Sequence, residues 1–163
     1  MIELLRWRHA KTERGGPDRP DAERRLLPVG RADAEEIGRL LVSRDLVPQV
    51  VLCSNAVRAR ETADLASGMF EPPPVRFDLP ELYHGDASRY LDAVSVYGGE
   101  ASRVLLVGHN PDIASFISSV AGRDVEMKTG ALAVIEADAM RAGEVGRGTS
   151  LSLRMVILPP RTR

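Results

Sequence analysis

The run Val104-Leu105-Leu106-Val107 passes without a break into Gly108-His109-Asn110-Pro111 and then into apolar residues at helical spacing, and this feature most constrains the fold. The run is apolar at every position and too short for a buried helix, so it reads as a strand covered on both faces. Helices above and below a sheet are what parallel crossovers supply. The unit recurs. Ile2 to Trp7 reads as a buried strand ending at Arg8-His9, and Val50 to Cys53 as a second strand following Pro48. Ser54-Asn55 then forms a capping pair before a helical pattern running to Ser67.

Between these units, Ala34, Ile37, Leu40 and Leu41 predict a helix over Gly30 to Asp45, preceded by a polar Pro- and Gly-containing loop from Lys11 to Val29. After Pro72-Pro73-Pro74, Val75 to Phe77 forms a third short strand, and Ala87 to Tyr97 a helix. Pro111 opens a helix to Ala121 behind an Asn cap. Ala131 to Glu136 and Leu151 to Leu158 are a closing strand pair. The expected fold is α/β, a three-layer sandwich whose mostly parallel central sheet carries helices on both faces, with residues 1–163 as a single domain.

Composition narrows the function classes. A chain of 163 residues, 44% hydrophobic and 28% charged, suits one packed domain. The net charge of -1 provides no bulk field for nucleic acid or an anionic membrane, so neither is an expected partner. Cys53 is the single cysteine, which excludes an intramolecular disulfide. The start shows no signal segment, and there is no apolar run of about 18 residues; a cytoplasmic setting is expected. Only Lys11 and Lys128 are lysines, so a positive cluster here consists of arginine, which suits bidentate binding of phosphate.

In such folds ligands bind beyond the carboxyl ends of the strands. Three polar signals lie there: Arg8-His9, Ser54 through Arg58, and His109. Converged at one sheet edge, the two guanidinium groups and two imidazoles would hold a phosphoryl group, aided by the helix starts near residues 56 and 111. Other chemistries fit less well. Cys53 and Arg58 are separated by four residues, whereas a cysteine phosphatase loop needs five. Gly143 to Gly148 has the glycine spacing of a nucleotide loop, but Thr149 stands where Lys is required. The three histidines lack the paired carboxylate spacing of a zinc site.

Taken together, Arg8-His9-Ala10, Asp21-x-x-Arg24-x-Leu26-x-x-x-Gly30, Ser54-x-x-x-Arg58-Ala59-x-x-Thr62 and Val107-Gly108-His109-Asn110-Pro111 resemble the histidine phosphatase superfamily. The likeness spans about residues 2 to 158 and is strongest to the small branch typified by bacterial phosphohistidine phosphatases. It implies a phosphoglycerate mutase-like fold and a double-displacement mechanism. His9 matches the nucleophile, Arg8 and Arg58 the phosphate clamp, and His109 the second histidine, cationic beside the phosphate. No metal and no cofactor are implied.

Glu81 is the candidate general acid for an ester leaving group. Asp21 and Arg24 are expected to fix the first loop by ion pairing, Thr62 and Ser54 to brace the second helix, Trp7 to pack in the core and His84 to lie exposed. Arg25-Leu26-Leu27 replaces the family's common Pro-Leu-Thr, which affects the local loop. The expected function is a metal-independent phosphatase acting on a phosphorylated protein or a small phosphorylated metabolite. The alternatives are a phosphate-recognition module without turnover and, third, a phosphomutase. The oligomeric state is left open by the sequence.

Overall fold

Alternation along the first strand assigns the two faces of the sheet. In β1 (Ile2–Arg8), Ile2, Leu4 and Arg6 point to one side and Leu5 and Trp7 to the other, and all five are buried. The computed structural model describes residues 1–160; residues 161–163, part of the expected domain span, lie outside it. One six-stranded sheet carries β2 (Val50–Ser54), β3 (Val75–Leu79), β4 (Arg103–Gly108), β5 (Leu132–Ala137) and β6 (Leu151–Ile157) in the order β3-β2-β4-β1-β5-β6. The first four strands are mutually parallel, and β5 runs antiparallel to both β1 and β6.

Helices α1 (Pro28–Ser43) and α2 (Val57–Ser67) cover the Leu5 and Trp7 face through Ala34, Ile37, Leu41, Ala59, Ala63 and Ala66. Helices α3 (Ala87–Tyr97) and α4 (Asp112–Ala121) cover the other face through Tyr90, Val94, Ile113 and Ile117. This is the three-layer, mostly parallel sandwich expected from the apolar runs, with the last two strands closing one edge.

Several boundaries differ for identifiable reasons. Helix α1 starts two residues before Gly30, at Pro28, because proline has no N–H to lose in the first turn and its φ is already helical. It stops at Ser43, before Asp45, which takes a left-handed φ of 56°. Helix α2 has Ala56 at its N-cap, with no side-chain capping bond. Ser54 Oγ accepts from the Ala56 N–H, so it braces the turn into the helix. At α4 the N-cap is Pro111, while Asn110 Oδ1 accepts from Ala114 N at 3.2 Å. The first loop has its own structure: Thr12 bridges to Leu26, and a 3-10 turn covers Asp21–Glu23.

Two buried groups on β1 depart from a plain apolar strand. Trp7 is fully buried in the core as expected and donates its indole N–H to Gly130 O at 2.9 Å. Arg6 is 1% exposed, with its guanidinium carbon 3.8 Å from the Tyr90 ring centroid and 5.0 Å from that of Phe116. Burial lowers its pKa to about 10, against the raising effect of Tyr90 and Asp112. Its Nε and Nη2 have no hydrogen-bond partner among the described residues, and the aromatic faces supply compensating attraction.

Gly30 lies where α1 meets the first loop, and a Cβ there would overlap the backbone of Lys11. A main-chain carbonyl cannot swing aside as a side chain can. Gly30→Ala is therefore expected to destabilise the protein by about 1–3 kcal/mol, read as a lower urea midpoint at unchanged m-value. A midpoint equal to wild type would show that the loop yields freely.

Candidate active site

Strand register brings the separated motifs together. Arg8 pairs with Gly108 across β1 and β4, and Cys53 pairs with Val107 across β2 and β4, so all three strands end at one level. The next residues, His9, His109 and Ser54, lie side by side at that edge. His9 N donates to Gly108 O at 3.0 Å, and the two imidazole centroids are 5.3 Å apart. Arg58 enters from the first turn of α2 and donates through Nε to His9 Nε2 at 3.3 Å. Arg8 comes from the end of β1, half-buried, with Nη1 on Met127 O at 2.9 Å and a buried Nε that has no hydrogen-bond partner among the described residues.

The hydrogen bonds fix the chemistry of His9. Its Nδ1 lies 2.8 Å from Ala10 O, an acceptor only, so Nδ1 carries the proton. Nε2 then holds the lone pair that accepts from Arg58. Burial pushes the His9 pKa down to about 3; the bond to Ala10 O opposes this, and His109, Arg58 and Arg8 reinforce it. The imidazole is therefore a neutral nitrogen base at ordinary pH, as a nucleophile requires.

His109 Nε2 lies 2.7 Å from Ser54 Oγ, while its Nδ1 is buried and has no hydrogen-bond partner among the described residues. Burial first and then Arg58 lower its pKa to about 4, with Asp21 opposing. The expected cationic His109 is thus not the state of the unliganded pocket, because two nearby guanidinium groups and burial both disfavour a further charge. A phosphoryl dianion would favour its protonated form.

Supporting residues lock this arrangement. The Thr62 hydroxyl donates to Arg58 O at 2.7 Å and accepts from Ala10 N at 3.0 Å, tying α2 to the residue after His9. Tyr83, which sequence reasoning passed over, stands edge-on to His109 with centroids 5.6 Å apart and donates its hydroxyl to Asp21 Oδ2. Asp21 also binds Arg24 Nη1 at 3.0 Å, as expected for a loop-fixing pair, and in addition reaches Arg58. Nothing in the local pattern at Tyr83 distinguishes it from a packing aromatic; its role depends on the fold of the segment after β3. His84 is exposed, as expected, and packs against Tyr83.

Glu81 stands on the segment that also carries Tyr83. It is exposed on the 3-10 turn Pro80–Leu82 and lines a groove along α3 with Arg89, Asp92, Ala93, Val96 and Tyr97. Cys53 is fully buried, donates to Ser54 O, and burial pushes its thiol well above the usual range, so it is no thiolate nucleophile. A cleft of about 560 Å³ lies at the amino ends of β1 and β4, where Arg103 and Arg154 bond to Glu3; neither histidine nor cysteine lines it. Among the described residues no group of three His, Cys, Asp or Glu is placed to hold a metal, and no helix is long and apolar enough to cross a membrane.

Two arginines and two imidazoles, His9 among them as a neutral nitrogen base, converge at the carboxyl edge of a mostly parallel α/β sheet, a set suited to holding a phosphoryl group. Comparison with known proteins agrees. Residues 4–94 match the model of the histidine phosphatase superfamily, branch 1. An uncharacterized protein of Mycobacterium leprae is 36% identical over 118 residues, 71% of each chain. A candidate phosphohistidine phosphatase SixA from Agrobacterium tumefaciens superposes with a TM-score of 0.81 at 26% identity, over 97% of this chain and 98% of that one. The protein histidine phosphatase SixA in complex with tungstate has the same fold, with a TM-score of 0.81 over 99% and 100% of the chains at 18% identity. The chain belongs to the histidine phosphatase superfamily, in its SixA-like branch, and is a phosphatase by class.

The two buried imidazoles make stability depend on pH. Each has a folded pKa below its unfolded value of about 6.5, so the unfolded chain binds more protons across the window from about pH 6.5 down to about 4 for His109 and about 3 for His9. The stability they contribute is complete above that window and is lost as pH falls through it. Urea midpoints without phosphate are expected to drop from about pH 7 to pH 5, and to drop less in a His9→Ala/His109→Ala double variant. An equal decline in both proteins would place the titrating groups elsewhere.

Proposed function

We propose that the protein hydrolyses a phosphorylated substrate through a phospho-His9 intermediate. The observation that carries this reading is the His9 ring itself, with Nδ1 anchored to Ala10 O and the Nε2 lone pair turned to Arg58. Nε2 forms a bond to phosphorus as the bond to the leaving group breaks. Arg8, Arg58 and His109 take up the oxygens whose charge redistributes during transfer. Water then attacks the phosphohistidine, inorganic phosphate leaves, and His9 returns to its neutral state. The positive charge comes from side chains, so no metal is assigned.

A protein phosphohistidine or another phosphoramidate is the substrate class that fits best. A phosphoramidate leaving nitrogen needs less help to depart than an alkoxide, and the cluster shows no carboxylic acid to provide it. Asp21, the carboxylate bonded into the cluster, is held far below the usual carboxylate range by Tyr83 first, then Arg24 and Arg58, so it remains ionised. Glu81, exposed on the turn before Tyr83, is the general acid proposed for ester substrates.

With an aryl phosphate, whose leaving group also needs little protonation, wild type should turn over and His9→Ala should be inactive. Arg58→Ala should lose about 100- to 1,000-fold in kcat. Undiminished hydrolysis by His9→Ala would remove the nucleophile assignment. Phosphate binding by wild type without turnover would favour a recognition module. Wild-type activity should survive chelation; loss that zinc or magnesium restores would refute the metal-free mechanism.

A further inference from the structure

The guanidinium of Arg58 is held from two directions. Nη1 donates to Asp21 O at 2.7 Å and Nη2 to Asp21 Oδ2 at 3.1 Å, so one residue occupies the outer fork. Nε points instead at His9 Nε2. A guanidinium is planar and carries its five N–H groups in fixed directions. With the Nη1–Nη2 end spent on Asp21, the edge formed by Nε and the inner N–H of Nη2 is turned toward the nucleophile. That edge is itself a two-donor fork, of the spacing that grips two phosphoryl oxygens.

Asp21 is in turn constrained. Its Oδ1 accepts from Arg24 Nη1 at 3.0 Å, and its Oδ2 also accepts from the Tyr83 hydroxyl. Arg24 is anchored by Nε on Glu13 O at 3.0 Å and by Nη2 on Thr12 Oγ1 at 2.7 Å. The carboxylate is therefore tied both to the first loop and to the segment after β3. Ion pairing to fix the loop accounts for the bond to Arg24, and leaves the two bonds to a buried Arg58 unexplained. Arg58 is 6% exposed, whereas Asp21 is largely exposed, so the carboxylate reaches in to the arginine.

We infer that Asp21 is a positioning residue for phosphoryl transfer: it holds the outer fork of Arg58 so that the Nε edge faces a phosphoryl group bonded to, or approaching, His9 Nε2. The inference rests on the proposed function of this pocket and adds a determinant outside the strand-end motifs. Asp21 touches neither the phosphoryl group nor the nucleophile, and acts through Arg58. Its charge also offsets one guanidinium in the empty pocket, which keeps two like charges and two imidazoles together at lower cost.

A double-mutant cycle over Asp21→Ala and Arg58→Ala tests it, with aryl phosphate turnover and inorganic phosphate binding both measured. Asp21→Ala is expected to lower kcat/KM by about 10- to 100-fold, mostly in kcat, because misorientation affects the transition state more than ground-state binding. In the Arg58→Ala background the same change should cost less than about twofold, since there is no guanidinium left to orient. Urea midpoints report folding, and a purely loop-stabilising role would lower the midpoint while leaving the two losses multiplicative. Multiplicative losses, or an Asp21→Ala enzyme within about twofold of wild type, would overturn the inference. If wild type does not turn over, the phosphatase reading fails by itself. Phosphate affinity then decides the positioning claim: a weakening by Asp21→Ala only when Arg58 is present supports it, and no weakening overturns it.

Discussion

The parallel pairing of β1 with β4 is the contact on which the rest of the molecule depends. It places Arg8 opposite Gly108 and lets His9 N bond to Gly108 O, so two histidines 100 residues apart in sequence become neighbours. Because side chains alternate with a period of two, a one-residue slip in this register would bury the wrong face of β1 and separate the imidazoles. The register is held from outside by complementary apolar faces: Leu4 with Tyr90 and Ile117 on one side, Leu5 and Trp7 with Ala34 and Ala63 on the other. Core packing and the geometry of the pocket therefore share one cause.

The same arrangement explains the electrostatics. Taking two imidazoles and an arginine out of water beside a second arginine is costly, and the fold meets that cost by keeping both imidazoles neutral and by giving Arg58 a carboxylate partner. Their unshifted pKa values would make the histidines titrate near neutrality; burial moves that transition to acid pH. The pocket is left with positive arginines, an uncharged nucleophile and an unbonded His109 Nδ1, a set matched to an incoming dianion.

How much of this could be read beforehand varies by residue. Arg8, His9, Arg58 and His109 were legible because each follows an apolar run or opens a helix, and in an α/β sheet those positions share one edge. Trp7 in the core and Thr62 bracing α2 were legible for similar reasons. Glu81 was singled out because it follows a proline after the third strand, and it stands exposed on a 3-10 turn whose C-cap is Tyr83. Tyr83 and the inward reach of Asp21 were not legible, since their contact joins two loops 62 residues apart through no periodic pattern.

The sequence by itself determined the layer order, the parallel core of the sheet and the strand ends where chemistry gathers, because hydrophobic period and turn residues are local properties. Tertiary structure alone decided which nitrogen of His9 is free, that His109 is neutral in the empty pocket, and that Asp21 grips Arg58. Those depend on hydrogen-bond direction and burial, quantities that exist only once distant segments share the same low-dielectric space.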